Sequence, residues 1–183
     1  AFLNCTNIGT VTIDSVSITS CGVGIFEECL LKDVVFAKGI TKIPSNLFNK
    51  AHFTTGRTVT IPATVTEIGS SAFAGAANYA NNISYIKFES GSSLQKIGDK
   101  AFQYCTALTS FTIPEYTSHI GSYAFGNCVK LEGITIPENV VSIGAGAFNA
   151  CEVLTTVRYN AIAVTSSNKN IFADCNIHTI LIG

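Results

Sequence analysis

Residues 120–137 read IGSYAFGNCVKLEGITIP, and this stretch decides the fold because its pattern recurs along the chain. Residues 97–114 read IGDKAFQYCTALTSFTIP, 23 residues earlier, and residues 143–160 read IGAGAFNACEVLTTVRYN, 23 residues later. A fixed period in the twenties predicts a solenoid, in which each copy forms one coil and buries its apolar face against the next. We therefore expect one elongated hydrophobic core along the whole chain.

The phenylalanine of the A-F pair marks the register of each coil. Eight such positions follow one another at intervals of 22 to 29 residues: Phe2, Phe26, Phe48, Phe73, Phe102, Phe125, Phe148 and Phe172. Cysteine or alanine stands three residues after each of them. An I-G pair begins five residues before four of them, at Ile68, Ile97, Ile120 and Ile143. Its glycine predicts either a positive φ or a close approach between the backbones of neighbouring coils.

A strand follows each phenylalanine at about nine residues, where β-branched and aromatic residues alternate with polar ones. The predicted inward pairs are Val11/Ile13, Val34/Phe36, Val59/Ile61, Ile86/Phe88, Phe111/Ile113, Ile134/Ile136, Val157/Tyr159 and Ile180/Ile182. Stacked coils would align these strands as one parallel sheet with neighbours about 4.8 Å apart. Pro62, Pro114 and Pro137 follow a strand directly, where the chain leaves the sheet and a missing N–H is tolerated. The A-F-x-x-C segment predicts a short helical or 3₁₀ turn.

These patterns predict a right-handed leucine-rich-repeat solenoid of about eight coils, mainly β, with one parallel sheet on its concave face. We expect a single domain over residues 1–183, as a fragment of a longer protein whose ends are covered by flanking sequence or by another subunit. Extra residues fall in 75–82 and 89–93, which are rich in small and polar residues, and in 52–57. We expect all three segments to be surface loops.

Composition argues against several functional classes. Hydrophobic residues make up 47% of the chain and charged residues 13%, which suits coils whose positions mostly face inward. The formal net charge is −1 and the basic residues are scattered, so binding of nucleic acid or of an anionic membrane is disfavoured. No apolar run approaches the roughly 20 residues that span a bilayer, and we expect no membrane insertion of this segment.

The seven cysteines are predicted to be buried free thiols, because six lie in the column after the phenylalanines and Cys21 replaces a core isoleucine. A disulfide between stacked residues, such as Cys128 with Cys151, is the alternative, although parallel side chains do not offer the required dihedral angle. A single file of thiols without histidine cannot surround a tetrahedral metal ion. Cys175 lies near His178 but belongs to this column, so we expect no nucleophile there. We expect no catalytic residue, metal or cofactor.

The pattern I-G-x-x-A-F-x-x-C-x-x-L-x-x-I-x-I-P resembles the treponemal-type leucine-rich repeat of the BspA-like surface proteins. The resemblance covers essentially all 183 residues and is tightest from Leu94 to Cys151. It departs at Pro44, Ala51 and Ala76, which replace glycine or cysteine of the pattern. The resemblance implies a secreted or surface-anchored array that attaches to extracellular-matrix or host-cell proteins and has no catalytic residues.

The outward positions of the predicted sheet are the default binding surface of a solenoid. The candidate partner-binding face consists of Thr60, Tyr85, Lys87, Thr112, Thr135 and Arg158. Tyrosine and arginine often dominate binding energy, so Tyr85, Lys87 and Arg158 are the expected anchors. We expect a non-catalytic, adhesin-like module for an extracellular or host protein, with end-to-end self-association as a further expectation. The alternative is a structural spacer that holds other domains off a cell surface, since threonine also has high β-propensity on a solvated face.

Overall fold

The computed structural model describes residues 2–14, 18, 21–22, 24–77, 81–164, 166–167 and 170–183. Fourteen strands are found in this part of the chain, and it contains no helix. They are β1 (Ile8–Ile13), β2 (Leu30–Phe36), β3 (Lys42–Ile43), β4 (His52–Phe53), β5 (Arg57–Ile61), β6 (Glu67–Ile68), β7 (Ile83–Phe88), β8 (Lys96–Ile97), β9 (His119–Ile120), β10 (Gly133–Ile136), β11 (Ser142–Ile143), β12 (Thr156–Tyr159), β13 (Ser166–Ser167) and β14 (Thr179–Ile182). Every pairing between them is parallel, as a stack of coils requires.

Each coil contributes to one or both of two strand columns. We call β1, β2, β5, β7, β10, β12 and β14, of four to seven residues, the broad strands. We call β3, β6, β8, β9, β11 and β13, of two residues each, the narrow strands. The fifth coil has no broad strand and meets β7 through a single bridge between Tyr85 and Ser110. Seven broad strands and this bridge confirm the predicted solenoid of about eight coils.

The expected single sheet is wrong in one respect, because the broad strands form three separate sheets, β1-β2-β4, β5-β7 and β10-β12-β14. At each paired junction, the residue after the later strand donates its N–H to the carbonyl that ends the earlier one. These bonds join Ala37 to Ile13, Glu89 to Ile61, Asn160 to Ile136 and Gly183 to Tyr159, at 2.9 to 3.3 Å. At the other three junctions this residue is Pro62, Pro114 or Pro137, which has no N–H to donate, and successive broad-strand positions do not pair as strands there. Proline therefore stands at every break in the broad sheet.

The narrow strands form one sheet of six, in the order β13-β11-β9-β8-β6-β3. The glycine that follows a narrow strand lies against the preceding coil: a Cβ added to Gly69, Gly98, Gly121 or Gly144 would lie 2.3 to 2.7 Å from a backbone atom of that coil. None of these four glycines has a positive φ, so close approach, rather than backbone conformation, requires glycine here. The sequence did not predict this sheet, because two residues are too few to show an alternation.

The core is a continuous column of phenylalanine rings. All eight stack in sequence, with neighbouring centroids 5.1 to 5.6 Å apart. The inward strand pairs of the first seven coils are buried or half-buried, as predicted. The last pair is an exception, since Ile180 is 63% and Ile182 is 86% exposed. These two residues lie beside Val157 and Tyr159 of β12 in register.

The A-F-x-x-C segment, predicted as a short helical or 3₁₀ turn, forms a run of turns closed by bonds between residues three apart, such as Gln103 to Lys100 and Cys105 to Phe102, both at 3.1 Å. In the fifth coil, alternate N–H groups of Lys100, Phe102 and Tyr104 donate to carbonyls of the next coil at 2.8 to 2.9 Å. Lys100 and Tyr104 have φ values of 57° and 59°. Left-handed residues on both sides of the phenylalanine turn these N–H groups along the stack, where they cannot form the i to i−4 bonds of a helix.

Two of the three loop predictions need correction. His52 lies in β4 and Arg57 begins β5, so the loop predicted over 52–57 shrinks to residues 54–56. Residues 78–80 of the segment 75–82 lie outside the described residues, and Asn81 is fully buried. Its amide donates to the Phe73 carbonyl at 2.8 Å and accepts the Ile83 N–H at 3.1 Å, which satisfies the buried group. Residues 89–93 lie at the surface, as expected.

Candidate binding face

The candidate face lies on the outward side of the broad strands, and alternation along each strand places its residues there. All six predicted residues are exposed. Thr60 pairs with Lys87 across β5 and β7, and Thr135 pairs with Arg158 across β10 and β12. Thr112 lies between these two groups, in the coil that lacks a broad strand.

A groove of about 680 Å³ opens between β7 and the fifth coil. Its lining includes Tyr85, Lys87, Glu89, Thr112 and Tyr116. Two local features accompany it: Pro114 removes the N–H that would close the sheet, and the exposed loop 89–93 borders the gap. The groove therefore lies where the repeat is least regular.

Two smaller hollows contain the remaining candidate residues. One, of about 230 Å³, includes Thr135 and Arg158, and another, of about 480 Å³, includes Thr60. The structure thus brings Tyr85, Lys87 and Thr112 together in the groove, while the other three candidate residues line neighbouring hollows on the same face. They form a surface of several shallow contacts, with no single enclosed site.

The cysteine column contains free thiols, as predicted. The thiols of Cys105, Cys128 and Cys151 each donate to the carbonyl of the phenylalanine in the preceding coil, at 3.2 to 3.3 Å. Burial raises the pKa of Cys128 to about 12 and the pKa of Cys105 well above its ordinary value. Buried, protonated thiols of this kind are poor nucleophiles.

Three cysteines are less buried than predicted. Cys5 and Cys175 are half-buried because they belong to the first and last coils, and Cys21 is also half-buried. The thiol of Cys175 donates to the Phe148 carbonyl at 3.0 Å, as the inner thiols do. Within the described residues, no group of three or more His, Cys, Asp or Glu side chains could hold a metal ion.

Charged side chains meet on the narrow sheet. Glu67 lies 2.9 Å from Lys42 and 3.3 Å from Lys96, its register neighbours in β3 and β8. Burial raises the pKa of Glu67, but hydrogen bonds from Lys42 and Lys96 outweigh this effect, so the pKa is lowered overall. This arrangement is an ion ladder on the surface and provides no acid or base for chemistry.

Sequence reasoning missed Tyr116, whose side chain is 63% exposed. It lies beyond the end of the strand position, so the inward and outward alternation says nothing about it. Equivalent positions of neighbouring coils hold Ser93 and Asn139, and a lone aromatic residue in this polar column was the available signal.

The repeat architecture is matched by known proteins. The family described as BspA type leucine-rich repeat region matches residues 1–90 and 75–183, in six copies of its repeat. The chain belongs to this family. A search of curated proteins finds no match. Members of the BspA-type family share the solenoid described above, so the resemblance inferred from the repeat pattern is confirmed.

Solved bacterial structures share the fold. A leucine-rich repeat protein of T. pallidum is 25% identical, with a TM-score of 0.66 over 94% of this chain and 74% of that one. A leucine-rich cell surface protein of Faecalibacterium prausnitzii A2-165 is 22% identical, with a TM-score of 0.62 over 96% and 60%. A leucine-rich repeat protein from Eubacterium ventriosum ATCC 27560 is 22% identical, with a TM-score of 0.60 over 94% of this chain and 48% of that one. The chain thus spans about half to three quarters of these proteins. Within its described residues, no helix is long and apolar enough to cross a membrane.

Proposed function

We propose that this BspA-type chain is a non-catalytic module that binds an extracellular protein through the outward face of its broad strands. The observation that carries the proposal is the groove at β7, where Tyr85 is 48% exposed beside Lys87. Exposed tyrosine and arginine side chains are common anchors of protein interfaces. Arg158 in the neighbouring hollow extends the same face.

The proposal includes a secreted or surface location, which the family supports through its resemblance to the BspA-like surface proteins. It also includes the absence of catalysis. Leucine-rich-repeat folds of this family are typically non-catalytic, and the fully buried thiols of Cys128 and Cys151 are hydrogen-bonded to backbone carbonyls in the core.

A binding assay with paired variants tests this function. The 183-residue protein is applied to immobilised fibronectin, laminin, collagen and fibrinogen, and binding is measured by surface plasmon resonance. We expect saturable binding to at least one of them, weakened about tenfold or more by Tyr85→Ala with Arg158→Ala. The control combines Tyr123→Ala and Lys130→Ala, an exposed tyrosine and a lysine outside the face, and should bind normally. Equal losses in both pairs would contradict the proposal.

A structural spacer is the second candidate, and the uninterrupted phenylalanine column favours it, because a continuous core makes a stiff rod. Much of the outward face is threonine, which needs no partner to explain it. Small-angle scattering of a rigid rod together with no binding to any immobilised protein would support the spacer over the binding module.

The two ends also support the proposed end-to-end association of copies. Phe2 and Leu3 at one end and Ile180 and Ile182 at the other are exposed apolar side chains. Burial of these residues against a second copy would remove apolar surface from water. Sedimentation velocity at increasing protein concentration should then show species larger than the monomer, and Ile180→Ser with Ile182→Ser should abolish them.

A further inference from the structure

A polar hollow lies at the turn that follows the fourth to sixth broad-strand positions, next to the groove beside β7, with which it shares Tyr116. Its volume is about 460 Å³, and its lining residues are Ser93, Gln95, Tyr116, Ser118 and Asn139. This volume falls in the range of about 300 to 1,000 Å³ that small-molecule sites occupy. All five lining side chains are uncharged and each can form hydrogen bonds.

Tyr116 has the largest exposed side chain of the five residues that line this hollow. Its side chain is 63% exposed, which is high for an aromatic residue on a structured turn. The residue lines both this hollow and the groove beside β7, so it stands as a ridge between them. The chain on both sides of it is anchored, because the Thr117 N–H donates to the Pro114 carbonyl at 3.0 Å and the Thr117 hydroxyl donates to Leu94.

Hydrogen bonds between coils hold two of the polar side chains in place. The Asn139 amide donates to the Glu115 carbonyl at 3.0 Å, which orients its plane and keeps its Oδ1 as an acceptor. The Ser118 hydroxyl donates to the Gln95 carbonyl at 3.1 Å and lies 2.8 Å from Nδ1 of His119. Polar groups that are fixed before binding lose little conformational freedom when a ligand arrives.

We propose that this hollow, which we call the Tyr116 site, binds a neutral carbohydrate. A pyranose ring presents an apolar face of C–H groups, which stacks on an aromatic ring, and hydroxyl groups around its edge. Tyr116 supplies the ring, while Gln95, Ser118 and Asn139 supply donors and acceptors for the hydroxyls.

The lining also disfavours other ligand classes. The five residues include no Lys or Arg to pair with a phosphate or carboxylate, and no Asp or Glu to pair with a basic peptide. A charged ligand there would lose hydration without gaining an opposite charge. The site is separate from Tyr85 and Arg158, so it adds a second ligand class to the proposed protein-binding module.

Titration of the 183-residue protein with neutral oligosaccharides tests the site. The probes are hexasaccharides of glucose in α and β linkage, of mannose and of galactose, followed by isothermal titration calorimetry. We expect at least one to bind, with the affinity reduced about tenfold or more by Tyr116→Ala and changed less than about threefold by Tyr116→Phe, which keeps the ring. Gln95→Ala should weaken binding to an intermediate degree.

Two controls separate this site from the rest of the molecule. Tyr123→Ala removes another exposed tyrosine and should leave oligosaccharide binding unchanged. Tyr85→Ala with Arg158→Ala should also leave it unchanged, so failure of the protein-binding proposal does not affect this result. Because Tyr116 is exposed, its variants should melt at the wild-type temperature. The proposal is overturned if no hexasaccharide binds, if Tyr116→Ala binds as tightly as wild type, or if that variant loses protein binding instead.

Discussion

The narrow and broad strands are made by the same coils, yet only the narrow sheet is continuous. The narrow strands join six coils in one ladder, whereas the broad strands separate into three groups. The difference cannot come from the spacing of the coils alone, since both sheets are built on the same stack of phenylalanine rings.

One N–H group per coil accounts for the difference. On the narrow side, the glycine after β6, β8, β9 and β11 donates its N–H to the isoleucine carbonyl of the coil before it. These bonds join Gly69 to Ile43, Gly98 to Ile68, Gly121 to Ile97 and Gly144 to Ile120, all at 2.8 Å. On the broad side, the equivalent residue is proline at three of seven junctions, and at each of these the successive broad-strand positions do not pair as strands. The continuity of a sheet in this solenoid therefore depends, at each junction, on whether the residue after the strand has an N–H group to donate.

The largest expected effect comes from the core that both sheets share. Phe102 is fully buried and contacts the rings of Phe73, Phe111 and Phe125 at centroid distances of 5.0 to 5.4 Å. Phe102→Ala should lower the free energy of unfolding by about 3–5 kcal/mol, because it leaves a cavity between stacked rings. Urea denaturation followed by circular dichroism measures it. Phe2→Ala, at a ring that is 56% exposed, should cost much less, and equal costs would mean that the column is not one core.

The next effect separates the two sheets with one kind of substitution at two glycines. In Gly121→Ala the new Cβ would lie 2.4 Å from the backbone nitrogen of Asp99, so the backbones of two coils must move apart. We expect a loss of about 2–3 kcal/mol in unfolding free energy. In Gly133→Ala, on the broad side, the nearest atom is the Thr156 carbonyl oxygen at 3.5 Å, which is an ordinary contact.

Gly133→Ala should therefore raise the unfolding free energy by about 0.5–1 kcal/mol, since glycine loses more conformational freedom on folding than alanine does. Both variants are compared with wild type in the same urea titration. Opposite signs would support the close approach of coils on the narrow side alone. A similar loss in both would show that the two sides are packed equally tightly.

The period of the repeat predicted much of this fold. The 23-residue period predicted the positions of the eight core phenylalanines, and the alternation of apolar and polar residues predicted the inward strand pairs. Both predictions depend only on the spacing of apolar residues along the chain. The outward position of Tyr85, Lys87 and Arg158 followed from the same alternation. Their distribution among separate hollows did not, since it depends on the distance between coils and on the loop 89–93 that borders the groove.

Other features depend on contacts that spacing does not report. The narrow strands are too short to alternate, and the buried Asn81 resembles a loop residue until its bonds to Phe73 and Ile83 are seen. The breaks in the broad sheet were accessible in principle, because counting N–H groups at Pro62, Pro114 and Pro137 predicts them. The prolines were instead interpreted only as tolerated at strand ends, which is correct and incomplete.

Introducing proline at a strand end should split the broad sheet, and replacing a proline there should join it. Asn160 donates its N–H to Ile136 at 3.0 Å, so Asn160→Pro should remove this bond and cost about 1–2 kcal/mol of unfolding free energy. In Pro137→Thr the new N–H gains a partner in the Ile113 carbonyl, and this gain is offset by the greater freedom of the unfolded chain, so stability should change by less than about 1 kcal/mol.

Hydrogen exchange of the backbone distinguishes these two variants more sharply than stability does. The new amide at position 137 should exchange slowly, while amides of β12 should exchange faster in Asn160→Pro. A rapidly exchanging amide at position 137 would show that proline marks the break without causing it.

The smallest effect concerns the ion ladder on the narrow sheet. Lys42 and Lys96 lower the pKa of Glu67 in the folded protein, against the opposing effect of burial. A carboxylate with a lowered folded pKa contributes stability that is present above its ordinary pKa of about 4.3 and is lost as the pH falls through the folded value. Glu67→Gln should therefore cost less than about 1 kcal/mol at pH 7, because the three side chains are partly exposed to solvent.

Urea titrations should show the unfolding free energies of the variant and of wild type converging near pH 3 and at high salt. Glu138→Gln, at an exposed position, serves as the control. A cost for Glu67→Gln that persists at low pH would mean that Glu67 stabilises the narrow sheet through packing, so that its continuity rests on more than backbone N–H groups.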